Sequence, residues 1–236
     1  LPTVNELAAE LSDYLRRATG EAFPVIGDRS AAAAATTVIE LALDPTLADP
    51  EEFVITVPET GNTVTISGSS RRGLQYGVSY FLEHFAGVRH LFPGTPGTVI
   101  PNWEKLELPT GVVARKPSFH RRFIAGGSHL EASEFYRWTI ANGANFHTRF
   151  NDTHNLWALV PPERYAASHP EFFPVYNGVR YLPAPGENIG WQPCFSAPGL
   201  AEAVADNIKA LFIAEPERSN VSLAVNDGAR DRKSVV

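Results

Sequence analysis

Leu7, Leu11, Tyr14 and Leu15 recur at spacings of four, three and one, with Glu10, Asp13, Arg16 and Arg17 between them. That period predicts an amphipathic helix, ended by Gly20. Thr37 to Leu43 (TVIELAL) and Phe53 to Val57 (FVITV) are short β-branched runs, and Thr63 to Ser67 (TVTIS) follows a Glu-Thr-Gly-Asn turn, so the last two predict a hairpin. Ser69 and Ser70 are placed to cap a second helix from Arg71 to about Phe85, which puts Leu74, Val78, Phe81, Leu82 and Phe85 on one face. Gly87 ends it. A Pro/Gly-rich passage from Phe92 to Trp103 and a short strand at Lys105 to Leu108 complete the order helix, strands, helix, strand. Residues 1–110 therefore read as a small α/β layer.

Residues 109–117 (PTGVVARKP) carry turn formers and few large apolar groups, and the expected domain boundary lies there. The pattern then changes. Phe119 to Ala125 (FHRRFIA), Ala144 to Phe150 and Asn220 to Val225 predict strands, and Glu131 to Asn142 and Leu200 to Phe212 predict helices. Strand alternating with helix signals βα units and a parallel sheet. The stretch from Asn151 to Cys194 is too long for a plain connection, and loops of that length are functional or disordered.

Composition narrows the classes. A hydrophobic content of 44% is that of a globular protein with a real core. The 26 acidic and 20 basic residues leave a net charge of −6 with no basic stripe, so nucleic acid is not an expected partner. The single cysteine, Cys194, excludes an intrachain disulfide framework and a multi-cysteine zinc site. His120, His129, His147, His154 and His169 show no metal-binding spacing, and no metal or other cofactor is expected. No apolar run reaches the roughly 18 residues of a membrane span. The chain opens without Met on a helix, which suggests a missing beginning, and Asp231 to Val236 matches the translation of GAT CGG AAG AGC GTC GTG, a run resembling a sequencing adapter. Residues 231–236 are expected to be a non-native tail.

Several phrases match a known family. Ser70 to Glu83 (SRRGLQYGVSYFLE), followed by Gly87-Val88-Arg89 and Phe92-Pro93-Gly94, resembles the N-terminal domain that precedes the barrel in α-glucuronidases and hexosaminidase-like enzymes. A second set comprises His154-Asn155-Leu156, Pro161 to Tyr165 (PPERY), His169 to Phe173 (HPEFF), Gly178-Val179-Arg180, Cys194-Phe195-Ser196 and Val221 to Gly228 (VSLAVNDG). Together these resemble the family called domain of unknown function 4838, some members of which are family 163 glycoside hydrolases acting as endo-β-N-acetylglucosaminidases. The resemblance covers about residues 1–230. It implies an α/β protein in which the small N-terminal domain is followed, over residues 116–230, by the first part of a (β/α)8 TIM-type barrel, truncated. It also implies a parent glycoside hydrolase that takes an N-acetylglucosamine- or uronic-acid-containing glycan, in a secreted or periplasmic setting. A first strand before the opening helix and a cysteine-rich segment after the Asn-Asp-Gly of the fourth barrel strand, both usual in the family, lie outside this chain, and so does the expected catalytic acid.

In such a barrel the functional groups sit at the C-terminal ends of strands. Arg122, near the first expected strand, is a candidate for holding sugar hydroxyls, with a salt bridge as its structural alternative. After the second expected strand, Asn151 to Asn155 crowds polar groups together; Asp152 and His154 are the candidate substrate contacts, and Trp157 is a sugar-stacking ring or a packing residue. After the fourth, Asn226-Asp227-Gly228 puts an amide and a carboxylate at a strand tip, although the same tripeptide also makes plain turns. A glycosidase needs two acidic functions, or one and the substrate's own acetamido group, so Asp227 is the catalytic candidate and Asn226 a binding one. Glu171 is a further carboxylate in the long loop, whereas Glu131 and Glu134 read as a solvated helix edge. The alternative function is a non-catalytic carbohydrate-binding or cell-surface interaction protein. The fragment itself is expected to be inactive and, through its last strand's open edge, prone to aggregate.

Overall fold

A computed structural model describes residues 1–31, 37–124, 132–145 and 153–228. The chain divides into two compact units, Leu1–Thr148 and Arg149–Val236.

The first unit opens on α1 (Val4–Thr19), whose start is a reciprocal cap: the Thr3 hydroxyl accepts from the Glu6 N–H at 3.2 Å and the Glu6 carboxylate accepts from the Thr3 N–H at 2.7 Å. Its buried face is Leu7, Leu11, Leu15 and Ala18, ending at Gly20 as the period predicts. Strands β1 (Val38–Leu43), β2 (Phe53–Val57) and β3 (Thr63–Gly68) follow, and β2 and β3 form the expected antiparallel hairpin while β1 lies parallel to β3. Helix α2 (Arg71–His84) starts at Ser70, whose hydroxyl accepts from the N–H groups of Arg72 and Gly73. Its apolar face, Leu74, Val78, Phe81 and Leu82, is buried with Ile55, Val64 and Ile66 of the sheet. Each such side chain contributes about 1.5–3 kcal/mol by leaving water. A side chain at Gly77 would put its Cβ 2.9 Å from Ile66 Cγ2, so the glycine sets how closely α2 lies on β3.

After α2, β4 (Arg89–His90) and β5 (Thr98–Val99) pair, and β6 (Gly111–Arg115) joins β2 antiparallel. The sheet order is β1-β3-β2-β6. Here the sequence expectation needs correction. Lys105 to Leu108 forms no strand, and the strand lies within residues 109–117, which composition marks as a boundary. The open edge of β2 accepts any neighbour with free N–H and C=O groups, and Val112 and Val113 outweigh the turn formers around them, while Leu106 and Leu108 pack against the core. Helix α3 (Ala132–Ala141) then falls where the pattern predicts it, with Ile140 in the core.

The second unit contains α4 (Leu156–Leu159), α5 (Pro162–Tyr165), the two-residue strands β7 (Val175–Tyr176) and β8 (Val179–Arg180), and α6 (Leu200–Ala214). Asn177 and Gly178, both at positive φ, make the β7–β8 turn. Its core is Val160, Tyr165, Phe172, Phe173, Trp191 and Leu200.

The protein is thus mixed α/β, and among the described residues no strands close into a barrel. Residues 119–124 and 220–225, expected as barrel strands, are irregular. Side chains take the bonds that a ladder would use. Phe119 O accepts from Arg122, His120 O from the Asn145 amide, Ser222 O from the Asn155 amide and Val225 O from His154. Among the described residues two backbone bonds remain, Asn145 N–H to Arg122 O at 2.8 Å and Asn155 N–H to Ala224 O at 3.1 Å.

Candidate functional site

In the first unit Arg122 is wholly occupied with its own protein. Its Nη2 lies 2.7 Å from Glu51 Oε2, its Nε donates to Gly143 O at 2.6 Å and its Nη1 to Phe119 O at 2.7 Å. Glu51 is buried and also accepts from the Asn145 amide, while the guanidinium lies 5.5 Å from the centre of the Tyr76 ring. Burial, with Glu51 nearby, pushes the Tyr76 phenol up to about 12, and its hydroxyl donates to Ala144 O at 2.7 Å. The salt bridge that sequence reasoning sets beside sugar binding for Arg122 is therefore present. No sequence signal points to Glu51 as its partner, because the two are far apart in the chain.

A cleft of about 770 Å³ opens in the same unit between α1, α3 and the segment around β4, with Glu10, Tyr14, His90, Arg137 and Trp138 among its lining residues. Desolvation in the cleft raises the Glu10 carboxyl pKa against the pull of Arg137, and burial lowers that of His90. Of the residues weighed for function in the sequence, Glu134, read there as part of a solvated helix edge, lines it and Arg122 does not.

In the second unit, four candidates come together. The backbone N–H of Trp157 donates to Asn226 Oδ1 at 2.7 Å, and the Trp157 indole N–H donates to His154 O at 3.0 Å. His154 Nδ1 lies 2.6 Å from Val225 O. A carbonyl can only accept, so Nδ1 carries the proton of this bond. Asp227 is exposed and follows Asn226 directly, with no side-chain partner among the described residues. Asn226 is 2% exposed, and its Nδ2 has no acceptor among the described residues. Trp157 is half-buried and packs against the unit's core, the packing role that the sequence allows for it.

The opposite side of this tip is held by residues that no motif announces. Gly190 N–H donates to Asp227 O at 2.7 Å, Ile189 and Asp227 form a parallel bridge, and a Cβ on Gly228 would meet Gly190 N at 2.7 Å. Gln192, 2% exposed, exchanges two hydrogen bonds with the Asn226 backbone. Asp152 and the tail 231–236 lie outside the described residues. Glu171 is paired locally, its carboxylate 2.9 Å from His169 Nδ1 and held below the usual range by that bond. Among the described residues no group of three His, Cys, Asp or Glu has metal-binding geometry, and no helix is long and apolar enough to cross a membrane.

The model of the family described as Domain of unknown function (DUF4838) matches residues 92–232, more than half of the chain. The chain belongs to this family. All four clustered residues, His154, Trp157, Asn226 and Asp227, fall inside the matched DUF4838 stretch, whereas α1 to α2 lie before it. No curated protein matches the chain.

Proposed function

We propose that this DUF4838 protein acts on glycans, as part of a glycoside hydrolase whose substrate carries N-acetylglucosamine or a uronic acid. One observation carries the reading: His154 Nδ1 bonds Val225 O, and Trp157 N–H bonds the side chain of Asn226, next to Asp227, whose carboxylate has no partner among the described residues. Such a group presents an imidazole ring to sugar hydroxyls, a half-buried indole to a sugar face, and a carboxylate to the positive charge that develops at the anomeric carbon. In this reading residues 116–230 are the opening units of a TIM-type barrel, residues 1–110 correspond to the domain that precedes such barrels, and Asp227 stands at a strand tip. Secretion or a periplasmic location fits a glycan substrate. Hydrolysis also requires a second acid, about 5–10 Å from Asp227, or the substrate's own acetamido group.

A second reading, sugar binding without cleavage, is favoured by the make-up of the bonded group, in which, among the described residues, Asp227 is the one carboxylate. The test is to compare the natural full-length protein with its Asp227→Asn variant on N-acetylglucosamine- and uronic-acid-containing oligosaccharides. Cleavage is expected to fall by about 100-fold or more in the variant. Undiminished cleavage would remove Asp227 from the chemistry, and binding without any turnover would establish the second reading.

A further inference from the structure

We infer that Gln192 is the positioning residue of this site, a side chain standing in for a missing strand neighbour. Its Nε2 donates to Asn226 O at 2.5 Å and its Oε1 accepts from Asn226 N–H at 2.9 Å. Those are the two bonds that a residue in an antiparallel hydrogen-bonded pair exchanges with its partner. One residue further on, Gly190 N–H donates to Asp227 O, so three backbone polar groups of Asn226 and Asp227 are anchored to residues 190 and 192. The Asn226 side chain is held from the other direction by Trp157 N–H. With the backbone clamped at Asn226 and bonded again at Asp227 O, the Asp227 carboxylate projects from a fixed point although no side-chain bond among the described residues holds it. Gln192 does not touch the exposed groups of the site. It acts through the backbone, and its importance to glycan recognition rests on the proposed function.

Substitution by glutamate gives a reversible version of the clamp. A neutral carboxylic acid donates from its hydroxyl and accepts at its carbonyl, reproducing the amide's pattern, whereas a carboxylate sets a negative oxygen against Asn226 O. Burial favours the neutral acid, so the switch lies above the ordinary glutamate range.

The experiment is amide hydrogen exchange at Asn226 in the natural full-length protein, which is used in both arms, corrected for the intrinsic pH dependence, with the amides of α6 as an internal reference. In Gln192→Glu, protection at Asn226 is expected to match wild type in acid and to fall about 10-fold or more as the carboxyl ionises, with α6 unchanged. Protection that is the same at both pH values overturns the clamp, and so does a loss that is equal in α6. Gln192→Ala is expected to lose protection at every pH. Titration with a β-linked N-acetylglucosamine disaccharide forms a separate arm. If wild type binds it, Gln192→Glu should bind more weakly on the alkaline side only, and affinity indifferent to the switch would overturn the positioning role. If wild type does not bind it, the glycan reading fails while the exchange result still decides the clamp.

Discussion

The two units solve the same problem by different means. In Leu1–Thr148 the backbone polar groups of the core are paired with one another, in a four-stranded sheet covered by α2. In Arg149–Val236 the described strands are two residues long, and outside α6 side chains join the backbone in satisfying it: Asn155 bonds Ser222 O, Gln192 bonds Asn226, Asn207 bonds Leu159 O and Arg180 bonds Phe173 O. A buried carbonyl must be bonded either way. The difference is that a ladder repeats and tolerates changes of side chain, whereas each side-chain bond depends on one residue identity.

Substitutions at three positions sharpen that contrast. The largest effect belongs to the sheet-and-helix core: Phe81 is fully buried, and Phe81→Ala should cost about 3–5 kcal/mol, seen as a lower denaturant midpoint and lost exchange protection in β2, β3 and α2. A loss below about 1 kcal/mol would mean that the core closes over the gap. In the second unit the corresponding weak point is polar. Asn207 donates to Leu159 O at 2.8 Å and to the Tyr165 hydroxyl at 2.7 Å and accepts from Arg164 at 2.6 Å. Asn207→Ala should cost about 1–3 kcal/mol, and Asn207→Leu should not restore it, because Leu159 O would stay unpaired. Full stability in Asn207→Leu would show that this position needs volume, not hydrogen bonds.

The smallest effect is electrostatic and lies in the cleft. Since Glu10 has a raised carboxyl pKa, the folded protein holds that proton more tightly than the unfolded chain does, and stability falls as pH rises through the folded value. His90 runs the other way: its depressed pKa makes stability full above the ordinary imidazole range and lost as pH falls through the folded value. Glu10→Gln should therefore raise the melting temperature slightly near neutrality, flatten the profile on the carboxylate side, and leave the His90 limb in place. An unchanged profile would place Glu10 in open water.

How much was legible follows from the same contrast. Leu7, Leu11 and Leu15 announce α1, and Ser70 with Leu74, Val78 and Phe81 announces α2, because the helical period writes burial directly into residue order. β6 was hidden under Pro and Gly turn signals, since what makes it a strand is the edge of β2, a property of another segment. At the candidate site, His154, Trp157, Asn226 and Asp227 stood out by chemistry and place in the chain, and they cluster. Gln192 carried no signal: a glutamine that bonds backbone looks in sequence like a glutamine in solvent.

Residue order alone determined the helices, the hairpin and the family, because capping, periodicity and short phrases are local and read out over a few positions. Only the tertiary structure decided that Arg122 answers Glu51, that Val112 and Val113 complete a sheet, and that Gln192 grips the backbone beside Asp227. Those are pairings between distant segments, and hydrogen-bond direction and burial choose among many partners only after the chain has closed on itself.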